Sequence, residues 1–259
     1  PEPYNIIEYD VIPISSSTTG STSSTSGFTS TTDFVGSGQY TTTKDYTEAD
    51  SFTDIDGNEY GAVNIDGAIW STSNLRVTKF SDGTPIREAT SWSDFNGVSE
   101  PMYYDVYGDG SAVVYNWYAI TGDHDNEIGT LRKNLAPEGY RVTSIYDWKR
   151  LQDKYGGKDN AATFLLSRNY KIYPGLDKAG LNIVSPQKKV TVPSGSVEGD
   201  IFGTTTYSRG SSYGFYFFGF QFYNSNNSSA GYSADSQEVY TTFNGSGAAL
   251  EVRVVKDDY

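Results

Sequence analysis

Residues 54–75 read DIDGNEYGAVNIDGAIWSTSNL, and the fold turns on how this stretch is parsed. Asp56-Gly57-Asn58 and Asp66-Gly67 bracket GAVNI, and AIWST follows the second pair. Asp-Gly and Gly-Asn steps accept the positive φ that tight hairpins demand. Short alternating runs closed by such turns predict consecutive antiparallel strands. DIDGNEY also opens like an EF-hand loop, but Ile65 stands where the twelfth-position Glu belongs, so the segment reads as a hairpin.

Outward from this centre, the same pattern of short alternating runs broken by Gly, Asn and Asp begins at Tyr46 and predicts a sheet-rich domain over 46–259. One helix stands out within it. Ser144 is a good N-cap with Asp147 three residues later; Ile145, Trp148, Leu151 and Tyr155 repeat at helical spacing, and Gly156-Gly157 end the run. A second helix is expected over 159–167, with Ala162, Phe164, Leu165 and Leu166 as its buried face. Near the C-terminus, LEVRVV (250–255) reads as one strand in the core. Trp70 and Trp148, each on an apolar face, are expected to be core residues.

The N-terminal part differs. Residues 1–14 (PEPYNIIEYDVIPI) read as an extended attachment or oligomerisation segment. Residues 15–45 are dominated by Ser, Thr and Gly, which bury too little apolar area to offset their ordering entropy. They read as a linker or stalk, either a plain tether or a β-structured oligomeric stalk seeded by residues 4–14.

Composition removes several function classes. With 32 acidic and 19 basic residues the formal net charge is -13, which repels phosphate backbones, so no nucleic-acid partner is expected. The absence of cysteine excludes thiolate catalysis and Cys-based zinc sites. His124 is the only histidine and sits in an acidic run, GDHDNEIGT (122–130). The clustered carboxylates of that run offer a cation site, but their spacing matches no known ligand loop and the run reads first as a surface turn; DVYGDGS (105–111), with Asp105 and Asp109, offers calcium ligands in the same way and also reads first as a turn. No catalytic residues, metal or cofactor are expected. No apolar run is long enough to span a bilayer, so no membrane span is expected in this chain.

The blocks DIDGNEYGAVNIDGAIWSTSNL (54–75), SDGTPI (81–86), VYNWYAI (114–120), APEGYRVTSIYDWKRL (136–151), KYGG (154–157) and LEVRVVKD (250–257) resemble, in order and approximate spacing, the Fibrobacter succinogenes major paralogous domain found in Bacteroidetes surface proteins and their phages. The resemblance covers about residues 50–257. It implies an α+β, C-type-lectin-like fold, similar also to formylglycine-generating enzymes: twisted antiparallel sheets, two helices, and a long irregular region before the closing strand. The enzymatic cousins act through cysteines that this chain lacks. The family's usual disulfide positions are Ala136 and Val254 here, which suits assembly in the cytoplasm, as for a virion component. The lectin motifs that hold sugar through calcium are absent, and Glu100-Pro101-Met102 is only a partial echo.

Aromatic residues make up 15% of the chain, with 22 Tyr, and they concentrate in YSRGSSYGFYFFGFQFYNSNNSSAGYSADSQEVYTTFNG (207–245). Rigid aromatics beside small polar residues copy the composition of paratopes, and the resemblance makes this the ligand-facing region. Alternation puts Tyr216, Phe218, Phe220 and Phe222 on one face of a strand and Phe215, Phe217, Gln221 and Tyr223 on the other, with 223–232 as a loop. The candidate ligand-binding residues are Tyr213, Phe215, Phe217, Tyr223, Asn224, Asn226, Asn227, Tyr232 and Tyr240. The expected function is non-enzymatic recognition or adhesion at a virion or extracellular cell surface. The partner expected is a host-surface glycan or protein, engaged by a homo-oligomer (dimer or trimer) held through the N-terminal segment. The competing expectation is a structural virion or cell-surface assembly protein, or a bacterial surface lipoprotein, whose aromatic surfaces are buried between subunits.

Overall fold

The computed structural model describes residues 30–35, 38–122, 133–158, 160–169, 175–184, 190–192, 195–197, 201–209, 213–225, 229–241 and 249–257. Within the stretch read as a linker, β1 (Ser30–Val35) and β2 (Gly38–Thr43) pair antiparallel, with Val35 opposite Gly38. This hairpin lies inside the stretch read as a linker or stalk. Ser/Thr content masked a local run of β-branched and aromatic side chains (STTDFV, GQYTTT) that suits a hairpin. The extended segment expected over residues 1–14 lies outside the described residues.

The deciding stretch folds as its turns require. β3 (Thr47–Thr53), β4 (Glu59–Ile65) and β5 (Ala68–Ser71) form a meander. The β4–β5 turn has Asp66 at φ 51° and Gly67 at φ 84°, both in the left-handed region, as a type I′ hairpin needs. In the β3–β4 turn the Asp54 carboxylate accepts from the Asp56 and Asn58 amides, each at 2.9 Å, and from the Tyr60 hydroxyl at 2.7 Å. Asp56 in turn accepts from the Thr78 amide (2.6 Å) and Lys79 Nζ (2.7 Å). These carboxylates are consumed by the fold itself.

β6 (Arg87–Glu88), β7 (Met102–Asp105) and β8 (Val113–Tyr115) make a small second sheet. It leads into α1 (Trp117–Thr121). This helix was not read from the sequence, although its signal is present: the Asn116 side chain caps it, accepting from the Ala119 amide at 3.0 Å. Asn116 also ties α1 to β7 by accepting from the Met102 amide, and is itself buried. The helix ends at Gly122, φ 79°, where a Cβ would fall 1.9 Å from the Lys133 carbonyl oxygen.

β9 (Arg141–Val142) precedes α2 (Ile145–Lys154), which has the expected Ser144/Asp147 capping box. α3 (Ala161–Leu165) is shorter than 159–167, and its buried face is Ala161, Ala162 and Leu165, with Phe164 only half-buried. Three α-helices therefore stand among the described residues instead of two. β10 (Val190–Val192) pairs with β11 (Gly195–Val197). β12 (Ile201–Arg209), β13 (Tyr213–Ser225) and β14 (Ser229–Thr241) form a separate sheet, and β15 (Val254–Asp257) closes the core.

The main sheet has the order β3-β4-β5-β15-β9, antiparallel throughout. Both of its faces contribute buried residues, from β4, β5, β15 and β9. On one, Tyr60, Val142 and Val254 join Leu75, Phe80 and Tyr115; on the other, Val63, Trp70 and Val255 pack with Trp148, Leu151 and Leu165 from α2 and α3. Trp70 and Trp148 meet edge to face at 5.1 Å, as core residues. Ala136 and Val254, where the resemblance places cysteines, are buried in one apolar cluster.

LEVRVV is not one strand. Leu250 bridges Tyr115 beside β8, whereas β15 starts at Val254 and runs between β5 and β9. The segment crosses between the two sheets over residues 251–253.

Asp147 anchors α2 to β9. Its buried carboxylate takes both Arg141 guanidinium nitrogens (2.6 and 2.9 Å) and the Ser144 amide and hydroxyl (2.7 Å each). Burial works against the charged form, but Arg141 and Ser144 outweigh it and hold Asp147 below its ordinary value of 3.8. Because the folded value is depressed, this stabilisation is present above pH 3.8 and is lost as the pH falls through the folded value. Asp147→Asn is expected to cost about 2 kcal/mol at neutral pH, less than a fully buried pair since Arg141 is half-exposed. Thermal melts at pH 7 and pH 3 should show the variant's deficit shrinking on acidification.

Candidate functional site

The aromatic segment becomes a three-stranded antiparallel sheet. β13 and β14 pair over their full 13 residues, from Tyr213 opposite Thr241 to Ser225 opposite Ser229. β12 flanks β13, with Arg209 opposite Tyr213 and Ile201 opposite Gly219, and a register shift between Gly203 and Tyr207. Among the described residues this sheet pairs with no other strand. All three of its strands have Cα atoms within 8 Å of α2, and β14 also approaches α3.

The expected loop over 223–232 is corrected. Tyr223, Asn224 and Ser225 continue β13, and Ser229 to Tyr232 belong to β14. The polar composition that suggested a loop is compatible with a ribbon because cross-strand pairing satisfies the backbone whatever the side chains are. Asn226 and Asn227 lie outside the described residues, as do His124 and residues 123–132.

Register sorts the remaining candidates. Tyr213, Phe215, Phe217 and Tyr223 occupy one pleat set, opposite Thr241, Val239, Gln237 and Gly231. Tyr232 and Tyr240 occupy the alternate set, opposite Phe222 and Gly214, and Asn224 shares it. The seven described candidates therefore divide between the two pleat sets. The sequence reading had no partner strand for Tyr232 and Tyr240, and period-2 alternation cannot be carried across a segment taken as a loop. β12 went unread as a contributor, although Ile201 to Arg209 (IFGTTTYSR) is rich in β-branched and aromatic residues.

Arg253 and Glu251 form a polar group that LEVRVV was not expected to contain. Arg253 is 2% exposed. It donates from Nε to Asn74 Oδ1 (2.5 Å) and from Nη1 to the carbonyls of Ser71 (2.8 Å) and Leu181 (2.9 Å). Glu251 Oε2 is buried without a hydrogen-bond partner among the described residues. Burial raises the Glu251 carboxyl above its ordinary 4.5, against the pull of Arg253 and the Asn74 side chain. The sequence signal was the pair of opposite charges two positions apart, Glu251 and Arg253.

The acidic turn over 105–111 is self-satisfied. Asp105 accepts from the amides of Tyr107, Gly108 and Gly110, at 3.2, 2.9 and 2.7 Å, and Asp109 accepts from Ser111 at 2.9 Å. Among the described residues no three His, Cys, Asp or Glu side chains are grouped to hold a metal ion, and no helix is long and apolar enough to cross a membrane.

The family model of the Fibrobacter succinogenes major domain matches residues 63–256. No curated protein and no solved structure matches the chain.

Proposed function

The chain belongs to the Fibrobacter succinogenes major domain family, and on that footing we propose that it is a non-enzymatic recognition module, carried on a virion fibre or as a decoration protein and binding a host-surface glycan or protein. The observation that carries this reading is the β12–β14 sheet. The core closes without it, since β15 pairs directly with β5 and β9, so the sheet adds an aromatic-rich layer beyond the strands that close the core. Tyr and Phe supply large rigid contact area at small entropic cost, and interleaved Ser, Asn and Gln supply adaptable hydrogen bonding. In this reading the fold is C-type-lectin-like, and the sheet fills the region before the closing strand that faces ligand in that fold. Residues 1–45 serve attachment and reach, and bring copies together as a dimer or trimer.

The test is retention of the full chain on a glycan array, followed by mass analysis of the bound glycan. The expected outcome is saturable binding with the glycan recovered intact. Cleavage of the glycan, or no retention on glycan or on intact host cells, overturns the reading.

A further inference from the structure

We propose that the two faces of the β12–β14 sheet have separate roles, and that the pleat set containing Tyr207, Tyr213, Tyr223, Gln221 and Gln237 binds an uncharged glycan; this rests on the recognition reading above. Three strands span about 10 Å, so a helix lying beyond one edge reaches only the nearest of them. α2 comes within 8 Å of all three, so it is not confined to one edge, and we take one pleat set as the helix-side face and the other as the outer face.

The register gives those faces different chemistry. In one pleat set the rows are Phe202–Phe218–Ser236, Phe220–Ala234 and Phe222–Tyr232, with Tyr216–Glu238 and Gly214–Tyr240 toward one end. Its centre is apolar, which suits burial against a helix. In the other set the rows are Gly203–Phe217–Gln237, Tyr207–Phe215–Val239, Gln221–Ser233 and Tyr223–Gly231, with Arg209–Tyr213–Thr241 at one end. Tyr213, Phe215 and Phe217 follow one another there along β13, the row Ile201–Gly219–Asp235 comes next, and the amide and hydroxyl positions Gln237, Thr241, Gln221 and Ser233 lie beside these aromatic positions. That combination matches a pyranose, which offers an apolar C–H face and a rim of hydroxyls. Only Arg209 and Asp235 bring charge to this set, and the chain's net charge of -13 repels anionic polymers. The chemistry therefore favours a neutral glycan over a sialylated or phosphorylated one.

The experiment compares Tyr213→Ser/Tyr223→Ser with Tyr232→Ser/Tyr240→Ser in the full chain, on an array of neutral and sialylated oligosaccharides, with melting midpoints measured in parallel. The first pair should weaken neutral-glycan binding by at least about 30-fold at unchanged midpoint. The second pair should lower the midpoint while the folded protein keeps its affinity within about threefold. If the first pair unfolds, Gln221→Ala/Gln237→Ala in the same pleat set carries the binding comparison. Loss of binding by the second pair at unchanged midpoint, or binding that ignores the first set, overturns the face assignment while leaving glycan recognition standing. A preference for sialylated over neutral probes overturns the ligand class. A wild-type chain that binds no oligosaccharide removes the glycan reading itself.

Discussion

Trp148→Ala should lower stability by about 3–5 kcal/mol. Trp148 is fully buried, packs edge to face on Trp70 at 5.1 Å, and donates from Nε1 to Thr143 Oγ1 at 3.0 Å. Its loss opens a cavity between α2 and the main sheet and leaves a buried hydroxyl short of a partner. For a chain of this size that corresponds to a drop of roughly 10 °C in melting midpoint. Circular dichroism melts check it. A midpoint within a degree of wild type would mean that α2 does not pack on the sheet through this residue.

Arg253→Met is expected to cost a similar amount, about 3–5 kcal/mol, because it strips partners from the buried carbonyls of Ser71 and Leu181 and from Asn74, and leaves Glu251 without its neighbouring cation. Glu251→Gln should act in the opposite sense. A carboxyl whose folded value is raised gives stability that is full below its ordinary 4.5 and lost as the pH rises through the folded value. Wild-type protein should therefore lose some stability across that interval on going toward alkaline pH, and Glu251→Gln should flatten the loss. Denaturant titrations at several pH values measure both. Glu251→Gln should also restore part of the stability lost in Arg253→Met, since it removes the carboxylate left uncompensated. An additive double variant would show that the two groups do not interact.

Local signals were the legible part of the fold. The Asp66-Gly67 turn and the Ser144–Asp147 capping box each act within a few residues, so the sequence contains their whole physics, and both elements lie where they were expected. α1 was missed because five residues give no measurable periodicity; only the Asn116 cap betrays it. LEVRVV misled because its alternation is shared between two sheets, and nothing within six residues marks where one pairing ends and the next begins.

For the candidate site, the segment was legible and its geometry was not. Composition marked 207–245 as unlike the rest of the chain. Which tyrosines share a face depends on the pairing of β13 with β14, a relation between positions up to 28 residues apart, as for Tyr213 and Thr241. A loop of ten residues and a continuous ribbon have the same composition, and they sort Tyr223 and Tyr232 in opposite ways.

Hydrogen–deuterium exchange of the full chain, with and without a neutral oligosaccharide that it retains on the array, tests the central claim most directly. The account predicts slowed exchange in peptides from 201–241, with the meander over 47–71 and the helix over 145–154 unchanged. Protection confined to the meander or the helices, with 201–241 exchanging as in the free protein, would contradict it.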